Sequence, residues 1–210
     1  EDAGGVRVGH PVTPRSEARP LRVLMLSKAF VVGAYQRKAE LLAAEDIELI
    51  VAVPPLWRDG TLVRRLERAH TDGYRLVETP IVRPGDFHLH FYPRFASLVA
   101  ETRPDLVHVD EEPYNLATFL ALAAARRRGA KTVFFTWQNL ARRYPPPFSY
   151  FERYAYARSD GAIVGSRTAG DVLREKGYRG PMWHIPQFGV DPDVFAPAVA
   201  PSRTTVFTIG

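Results

Sequence analysis

Two short polar segments contain most of the residues in this 210-residue chain that could act on a substrate. The first segment consists of Asp110, Glu111 and Glu112, and the second consists of Trp137, Gln138 and Asn139. A carboxylate can act as a general base, hold a metal ion, or bind a sugar hydroxyl through a strong charge-assisted hydrogen bond. The acidic segment could equally be a solvated turn that caps the following helix, because acidic side chains favour the positive end of a helix dipole.

Other candidates lie beside these segments or in the first loop. Gly33 could let the backbone approach a ligand, and the helix N-terminus behind it could hold an anion, although it could also be an ordinary turn glycine. Arg142 and Arg143 could bind a phosphate through their planar guanidinium groups or form a solvated face. The predicted substrate-binding residues are Gly33, Asp110, Glu111, Glu112, Tyr114, Trp137, Gln138, Asn139, Arg142 and Arg143.

Two further groups have a spacing that metal sites also show. Asp191 and Asp193 imitate a DxD metal motif, but they lie in a segment rich in Gly and Pro, where Asp more often caps a turn. His88 and His90 alternate beside Asp86, yet such a group in a loop is usually incidental. We therefore predict no metal site, and the catalytic residues stay unassigned.

A strand–helix–strand unit positions the two polar segments. Residues 105–109 form a short apolar run rich in β-branched residues, residues 114–128 are mostly apolar and rich in Ala and Leu, and residues 131–136 form a second apolar run. This pattern predicts two parallel strands joined by a helical crossover. Both polar segments then follow the carboxyl ends of strands, the edge at which open α/β sheets bind ligands.

The rest of the chain repeats this alternation. Further strands are predicted at 21–26, 47–53, 74–82, 161–164 and 182–185. Further helices are predicted at 35–44, 93–102, 148–158 and from a cap at Ser166 to just before Gly177. Segment 56–73 is open, because its spacing is roughly helical but its many Arg residues would also suit a mobile loop. The predicted fold is α/β, with a doubly wound, mainly parallel sheet.

The predicted domain organisation has three parts. Residues 1–20 are expected to be a flexible leader, residues 21–197 a Rossmann-like domain that ends in a linker, and residues 198–210 the start of a truncated second domain. The chain begins with Glu1, and no helix follows the last predicted strand at 205–209. We therefore expect the chain to be part of a longer protein.

Composition excludes several classes of function. The sequence is 46% hydrophobic and 24% charged, which is ordinary for a globular protein, and it has no apolar run long enough to span a bilayer. It has no Cys, which excludes disulfides and thiolate chemistry within it. Its net charge of +5 would suit phosphate-bearing ligands or an anionic membrane, or could simply reflect a genome that favours Arg. No recognised nucleic-acid-binding motif is present, so no nucleic-acid partner is predicted.

Several stretches resemble the amino-terminal half of GT-B glycosyltransferases of family 4. They are SKAFVVGAYQRKAELLA, PDLVHVDEEPYNLAT, RYAYARSDGAIVGS followed by VLREKGY, and IPQFGVDPDVFAP, and the likeness covers residues 21–210. The resemblance implies two Rossmann-like domains that face a cleft. The first domain mainly binds the acceptor, the second holds the nucleotide-sugar, and transfer retains the anomeric configuration, usually without a metal.

The chain departs from this family in specific places. Family members commonly have a His after the fifth strand in a T-x-H phrase, whereas Gln138 occupies that position here. Gln can position a sugar through hydrogen bonds but cannot titrate. The first loop has one Gly, Gly33, where the family has a pair. The family's donor-binding elements, a basic pair and two carboxylates, belong to the second domain and are absent from this sequence.

The resemblance implies an acceptor-binding domain of a retaining, nucleotide-sugar-dependent hexosyltransferase, inactive as an isolated fragment and without a cofactor. Expected partners are a nucleotide-sugar, bound through the missing domain, and a carbohydrate or lipid-linked acceptor. The expected location is cytoplasmic, with optional peripheral contact at the inner face of the membrane. An aromatic row in helix 148–158 could provide that contact or be simple packing. The alternative is a non-catalytic α/β module that binds a phosphorylated ligand or a protein partner.

Overall fold

The computed structural model of the protein describes residues 19–190 and residue 192. In chain order its strands are β1 (Leu21–Leu26), β2 (Ile47–Val53), β3 (Leu56–Asp59), β4 (Leu62–Arg65), β5 (Arg75–Glu78), β6 (Leu106–Val109), β7 (Lys131–Thr136), β8 (Gly161–Val164) and β9 (Met182–His184). Its helices are α1 (Arg37–Ala43), α2 (Phe95–Thr102), α3 (Leu116–Arg127), α4 (Phe148–Arg158) and α5 (Arg167–Glu175). Within these ranges, no helix is long and apolar enough to cross a membrane.

Seven of the strands form one parallel sheet in the order β5-β2-β1-β6-β7-β8-β9. The alternation of side chains along β1 shows why both faces of this sheet must be covered. Leu24 and Leu26 pack into one apolar cluster with α2 and α3, while Val23 and Met25 pack into a second cluster with α1. This confirms the predicted doubly wound parallel sheet.

Helix α3 forms because its sequence satisfies the local rules at both ends and buries a broad face. Its Ala and Leu residues favour the helix, and five Ala side chains from Ala117 to Ala125 are buried against the sheet. Arg126 and Arg127 occupy the last turn, where the helix dipole favours cations. Gly129 then ends the helix with a φ of 74°, in the left-handed region.

Segment 56–73, which the sequence left open between a helix and a mobile loop, instead contains two short strands. Strands β3 and β4 form an antiparallel hairpin that pairs Trp57 with Arg64 and Asp59 with Leu62. The hairpin turns at Gly60, which has a φ of 58°. The two-residue loop consists of Gly60 and Thr61, and a Gly at the first position of such a loop is a recognised hairpin signal, which outweighed the weak helical spacing here.

Other differences concern the ends of elements. Two 3-10 turns, Ala29–Val31 and Gly33–Gln36, precede α1, so the α-helix begins later than predicted. Strand β5 is much shorter than the predicted 74–82, which contains Pro80. Residues 1–18 of the predicted leader, the linker beyond residue 190 except residue 192, and the predicted second-domain strand lie outside the described residues.

The contribution of the core can be measured on one helix. The Leu122 side chain is fully buried, whereas Leu120 on the same helix is 41% exposed. We expect Leu122→Ala to lower the free energy of unfolding by about 2–5 kcal/mol, because it leaves a cavity. The control Leu120→Ala should change it by less than about 0.5 kcal/mol. Urea denaturation of both variants tests this, and equal losses would contradict the assignment of Leu122 to the core.

Candidate functional site

The candidate site is a cleft at the carboxyl ends of β1 and its neighbours β6 and β7. After β1 the chain winds outward to β2 and β5 and then returns to β6 on the other side, so β1 and β6 flank the point where the strand order reverses. Open α/β sheets bind ligands at this point. The cleft has a volume of about 520 Å³. Its aromatic lining consists of Tyr35, Trp57, Phe87, Tyr114, Phe135 and Trp137.

Asp110 joins three parts of the cleft. Its backbone amide donates to the Leu26 carbonyl at 2.9 Å, and its side chain is buried. The Ser27 hydroxyl donates to Oδ2 at 2.7 Å, and Nε2 of Gln187 donates to Oδ1 at 3.1 Å. Each carboxylate oxygen therefore has one donor from the chain, and lone pairs remain for a ligand at the cleft.

Glu111 is buried and forms an ion pair with Lys28. The Tyr92 hydroxyl donates to Oε1 at 3.3 Å, and Nε2 of His90 lies 3.5 Å from Oε2. Burial on its own would raise the pKa of Glu111, but the charge of Lys28 and the neighbouring His90 lower it to about 2. The carboxylate is therefore ionised at neutral pH and compensated inside the chain.

Glu112, in the loop after β6, is hydrogen-bonded to the end of β7. The Thr136 hydroxyl donates to Oε2 at 2.6 Å, and the Trp137 amide donates to Oε1 at 2.8 Å. Burial raises the pKa of Glu112 in spite of these two hydrogen bonds. The acidic segment is therefore not the solvated helix cap that the sequence also allowed: Asn115 holds the N-cap position of α3, and the first turn contains no acidic residue.

Tyr114 lines the cleft, as predicted. Its ring stacks on Tyr144 with 4.3 Å between centroids, and the His88 ring lies 5.3 Å away. Burial raises the pKa of the Tyr114 hydroxyl further above its ordinary value. Tyr114 therefore contributes a rigid aromatic wall with a protonated hydroxyl.

The segment after β7 divides between the cleft and its surroundings. Trp137 lines the cleft, and its indole N–H donates to Oε1 of Gln187 at 2.7 Å. Gln138 lies outside the lining. Its side-chain Nε2 donates to the Tyr144 hydroxyl at 3.2 Å, and its side-chain Oε1 accepts from Lys176 at 3.3 Å. Asn139 is exposed and also outside the lining. Neither Gln138 nor Asn139 lines this cleft, and their contact with a sugar stays a prediction.

The remaining predicted residues also lie outside the cleft lining. The Gly33 amide donates to Oε2 of Glu67 at 2.6 Å, so a carboxylate of the chain itself occupies the anion position predicted for a ligand. A Cβ at this position would lie 2.7 Å from Cβ of Ala69, so close packing explains the glycine. Arg142 and Arg143 are exposed. Their proposed contact with phosphate stays untested.

The His residues near the cleft have structural contacts. Nδ1 of His90 donates to the Asp86 carbonyl at 2.8 Å, and His88 packs among aromatic rings. In the described part of the chain, no group of three His, Asp or Glu residues is arranged to hold a metal ion. Asp191 and Asp193 lie outside that part.

Sequence reasoning missed two groups of cleft residues. The first is the hairpin, which contributes Trp57, Asp59 and Arg64, and the turn that starts at Gly60 was the signal that could have revealed it. The second is the segment beyond β9. Gln187 bridges Asp110 and Trp137, and the Phe188 ring stacks on Tyr35 with 4.1 Å between centroids. No local pattern could have shown these contacts, because they join residues far apart in the sequence.

The chain resembles known proteins in sequence and in structure. The sequence profile of a family described as "Glycosyl transferase 4-like domain" matches residues 32–186, which is more than half of the chain. No curated protein sequence matches the chain with significance.

Among solved structures, a UDP-N-acetylglucosamine 2-epimerase matches with a TM-score of 0.52 and 16% identity, over 76% of this chain and 46% of its own. Phytolacca americana UGT2, complexed with UDP-2fluoro-glucose and pterostilbene, matches with a TM-score of 0.52 and 10% identity, over 86% of this chain and 57% of its own. A UDP-glucosyltransferase from Polygonum tinctorium matches with a TM-score of 0.52 and 12% identity, over 89% of this chain and 56% of its own. These likenesses show a shared fold, and the chain spans about half of each structure.

The ion pair in the cleft floor can be tested by a double-mutant cycle. We expect Lys28→Met to lower the free energy of unfolding by about 3–5 kcal/mol, because it leaves the buried Glu111 carboxylate without its partner. The double variant Lys28→Met/Glu111→Gln should recover most of that loss. Chemical denaturation at pH 7 measures all the variants, and a double variant no more stable than Lys28→Met would contradict the pairing.

The lowered pKa of Glu111 also predicts a pH dependence. Because the pKa falls from 4.5 to about 2 on folding, Glu111 stabilises the protein above about pH 4.5 and loses this contribution as the pH falls toward 2. In that window the stability of wild type should fall more steeply than that of Glu111→Gln, by up to about 1.4 kcal/mol per pH unit. Denaturation at pH 5, 4 and 3 compares the slopes, and parallel slopes would argue against an ionised Glu111.

Proposed function

Because the chain belongs to the glycosyl transferase 4-like family, we propose that it forms the acceptor-binding domain of a retaining glycosyltransferase with a nucleotide-sugar donor. The described residues form the Rossmann-like, GT-B type of domain that the solved glycosyltransferases share. The activity of the whole enzyme, its second domain and its substrates are parts of the proposal, since the chain spans only about half of those structures.

The observation that supports the proposal most is the composition of the cleft. Its aromatic walls, among them Trp137 and Phe87, give flat apolar surfaces, and Asp110 presents free lone pairs beside them. A hydroxyl-bearing acceptor needs both an apolar surface for its ring and oriented acceptors for its hydroxyl protons. The cleft also lies at the edge of the sheet where a second domain could face it.

In the proposed reaction the chain's own residues bind and orient the acceptor. Asp110 accepts a hydrogen bond from the attacking hydroxyl, and the ion pair of Lys28 with Glu111 holds the floor in place. Correct orientation of a nucleophile can supply a large part of a rate enhancement. We assign no further catalytic residue, and we propose that transfer uses no metal ion, with the donor diphosphate neutralised by cations of the second domain.

We also propose that the enzyme is cytoplasmic and that it can touch the inner face of the membrane through α4. Two features support the membrane contact: Tyr150 is 51% exposed, and Arg153 and Arg158 on the same helix are exposed. Basic and aromatic residues together favour binding to anionic lipid surfaces. The other aromatic residues of the row pack inside the domain, where Phe119 stacks on Phe151 with 4.9 Å between centroids.

The general test of the proposal is a panel of nucleotide-sugars with the full-length enzyme. Release of nucleoside diphosphate identifies the donor, and NMR of the product shows whether the anomeric configuration is retained. Inversion of configuration would contradict the retaining mechanism. If no donor is consumed and a phosphorylated ligand or a protein binds instead, the chain is a non-catalytic module.

The role of Asp110 gives a sharper prediction. We expect Asp110→Asn in the full-length enzyme to lower kcat/KM for the acceptor about 10- to 100-fold, because a charge-assisted hydrogen bond to the acceptor is lost. The KM for the donor should stay unchanged. Ser27→Ala is the matched control, since it removes one hydrogen bond to Asp110 but keeps the carboxylate. An equal loss in both variants would show that Asp110 acts only through the structure.

We further expect the 210-residue chain alone to transfer no sugar. Departure of the donor requires stabilisation of the diphosphate charge, which is a large share of catalysis, and the open wall of one domain leaves each charge pair in water, where it is worth little. The chain and the full-length enzyme are incubated with the same donor and acceptor. A rate for the chain near that of the full-length enzyme would refute the placement of donor binding in a second domain.

A further inference from the structure

The β3–β4 hairpin forms the outer wall of the cleft and is only lightly attached to the domain. Its strands pair with each other and not with the seven-stranded sheet. Trp57 is its one buried residue, and its indole packs edge-on against Phe87 at 5.3 Å and His90 at 5.0 Å between centroids. The position of the hairpin therefore depends mainly on Trp57, while most of its other side chains are exposed.

The pairing register of the hairpin separates its charged side chains into two faces. Trp57 lies opposite Arg64, and Asp59 lies opposite Leu62, so these residues share one face. Trp57, Asp59 and Arg64 all line the cleft. Arg58 and Arg65 alternate with them and belong to the other face, where Cβ of Arg58 is 2.9 Å from the position that a Cβ at Gly85 would occupy.

The charged residues of the cleft differ in whether the chain already uses them. Lys28 pairs with Glu111, Asp110 accepts from Ser27 and Gln187, and Glu112 accepts from Thr136 and Trp137. The side chains of Asp59 and Arg64 are exposed and form no hydrogen bond or ion pair with any other described residue. These two side chains are therefore charged groups of the cleft that have no internal partner, so a ligand can use their full hydrogen-bonding capacity.

The geometry of Asp59 and Arg64 fits neighbouring hydroxyl groups. They are diagonal neighbours across the hairpin, and such positions lie about 7–8 Å apart. No ion pair joins them within the described residues, so a small ring can lie between the carboxylate and the guanidinium. The carboxylate accepts hydrogen bonds and the guanidinium donates them, and a pair of hydroxyls offers both functions.

The charge balance of the cleft argues against a phosphorylated ligand. Its lining contains the acidic residues Asp59, Asp110, Glu111 and Glu112 but only the basic residues Lys28 and Arg64. The excess of carboxylates repels an anion, and Lys28 is already neutralised by Glu111. Phe87 and Trp137, which are 49% and 46% exposed, offer the flat surfaces on which an uncharged ring can lie.

We propose that the β3–β4 hairpin selects the acceptor through Asp59 and Arg64, and that the acceptor presents an uncharged polyhydroxylated ring, a sugar or a cyclitol. Asp59 accepts a hydrogen bond from one hydroxyl, and Arg64 donates to its neighbour. This inference deepens the proposed function, and the identification of the bound ring as the acceptor rests on that function. The ring-binding site on the hairpin can be tested separately from sugar transfer.

The kinetic test compares two adjacent arginines in the full-length enzyme. Arg64→Gln and Asp59→Asn should each raise the KM for a neutral acceptor about 10- to 100-fold, because each loses a charge-assisted hydrogen bond. The KM for the donor and its slow hydrolysis without acceptor should not change. Arg65→Gln is the matched control, since it makes the same change of charge on the opposite face of the same strand. A similar effect of Arg64→Gln and Arg65→Gln would overturn the proposal.

A binding test by saturation-transfer NMR needs no donor. The probes are methyl α-D-glucopyranoside, methyl α-D-mannopyranoside and the corresponding 6-phosphates of the free sugars. Wild type and Arg65→Gln should transfer saturation to the neutral probes, and Arg64→Gln and Asp59→Asn should lose this transfer. Absence of binding to both neutral probes in wild type, stronger binding of the phosphates, or equal binding by all variants would overturn the proposal.

The two tests also separate this inference from the proposed function. If the variants lose binding of the neutral probes but the enzyme consumes no nucleotide-sugar, the hairpin site stands and the glycosyltransferase proposal fails. If the enzyme transfers sugar and the Asp59 and Arg64 variants behave like Arg65→Gln, the glycosyltransferase proposal stands and the hairpin site fails.

Discussion

The burial of the Glu111 carboxylate is the constraint on which the rest of the site depends. A charge that is removed from water must be compensated, and here Lys28 from the loop after β1 supplies the compensating charge. The pair therefore ties the loop after β1 to the loop after β6 at the point where the strand order reverses. His90 and Tyr92 approach the same carboxylate and bring a third segment into the floor.

The neighbouring carboxylates, Asp110 and Glu112, join further segments to the floor of the cleft by hydrogen bonds. Asp110 holds Ser27 on one side and Gln187 on the other, and Glu112 holds the end of β7 through Thr136 and Trp137. Gln187 also accepts from the Trp137 indole, so the segment beyond β9 is part of the same network. A network whose members all have partners fixes one arrangement of its loops. The floor of the cleft is therefore rigid for reasons of electrostatics and not of packing alone.

The sheet could be predicted from the sequence because its signals are local. Strands that are buried on both faces are nearly continuous apolar runs in the sequence. Helix α3 is predicted by its Ala-rich and Leu-rich composition and by Gly129 at its end. The position of Asp110 to Glu112 at the cleft followed from that topology. The partners of these residues could not be predicted, because Lys28 and Glu111 are 83 residues apart. Gly33 shows the same limit, since close packing against Ala69 and Glu67, and not a ligand, explains the glycine.

The hairpin completes the cleft on different physical terms. A substitution in the floor breaks a buried charge network. The side chains of Asp59 and Arg64, in contrast, are exposed and have no hydrogen-bond or ion-pair partner among the described residues. Their substitution alters the surface that a ligand meets while Trp57 keeps the hairpin in place. Under the proposed function, the hairpin side chains select the ligand, and their substitution leaves intact the buried ion pair that stabilises the floor. A fold of this kind can change its ligand by changing the hairpin, because the sheet and its charged floor do not depend on those side chains.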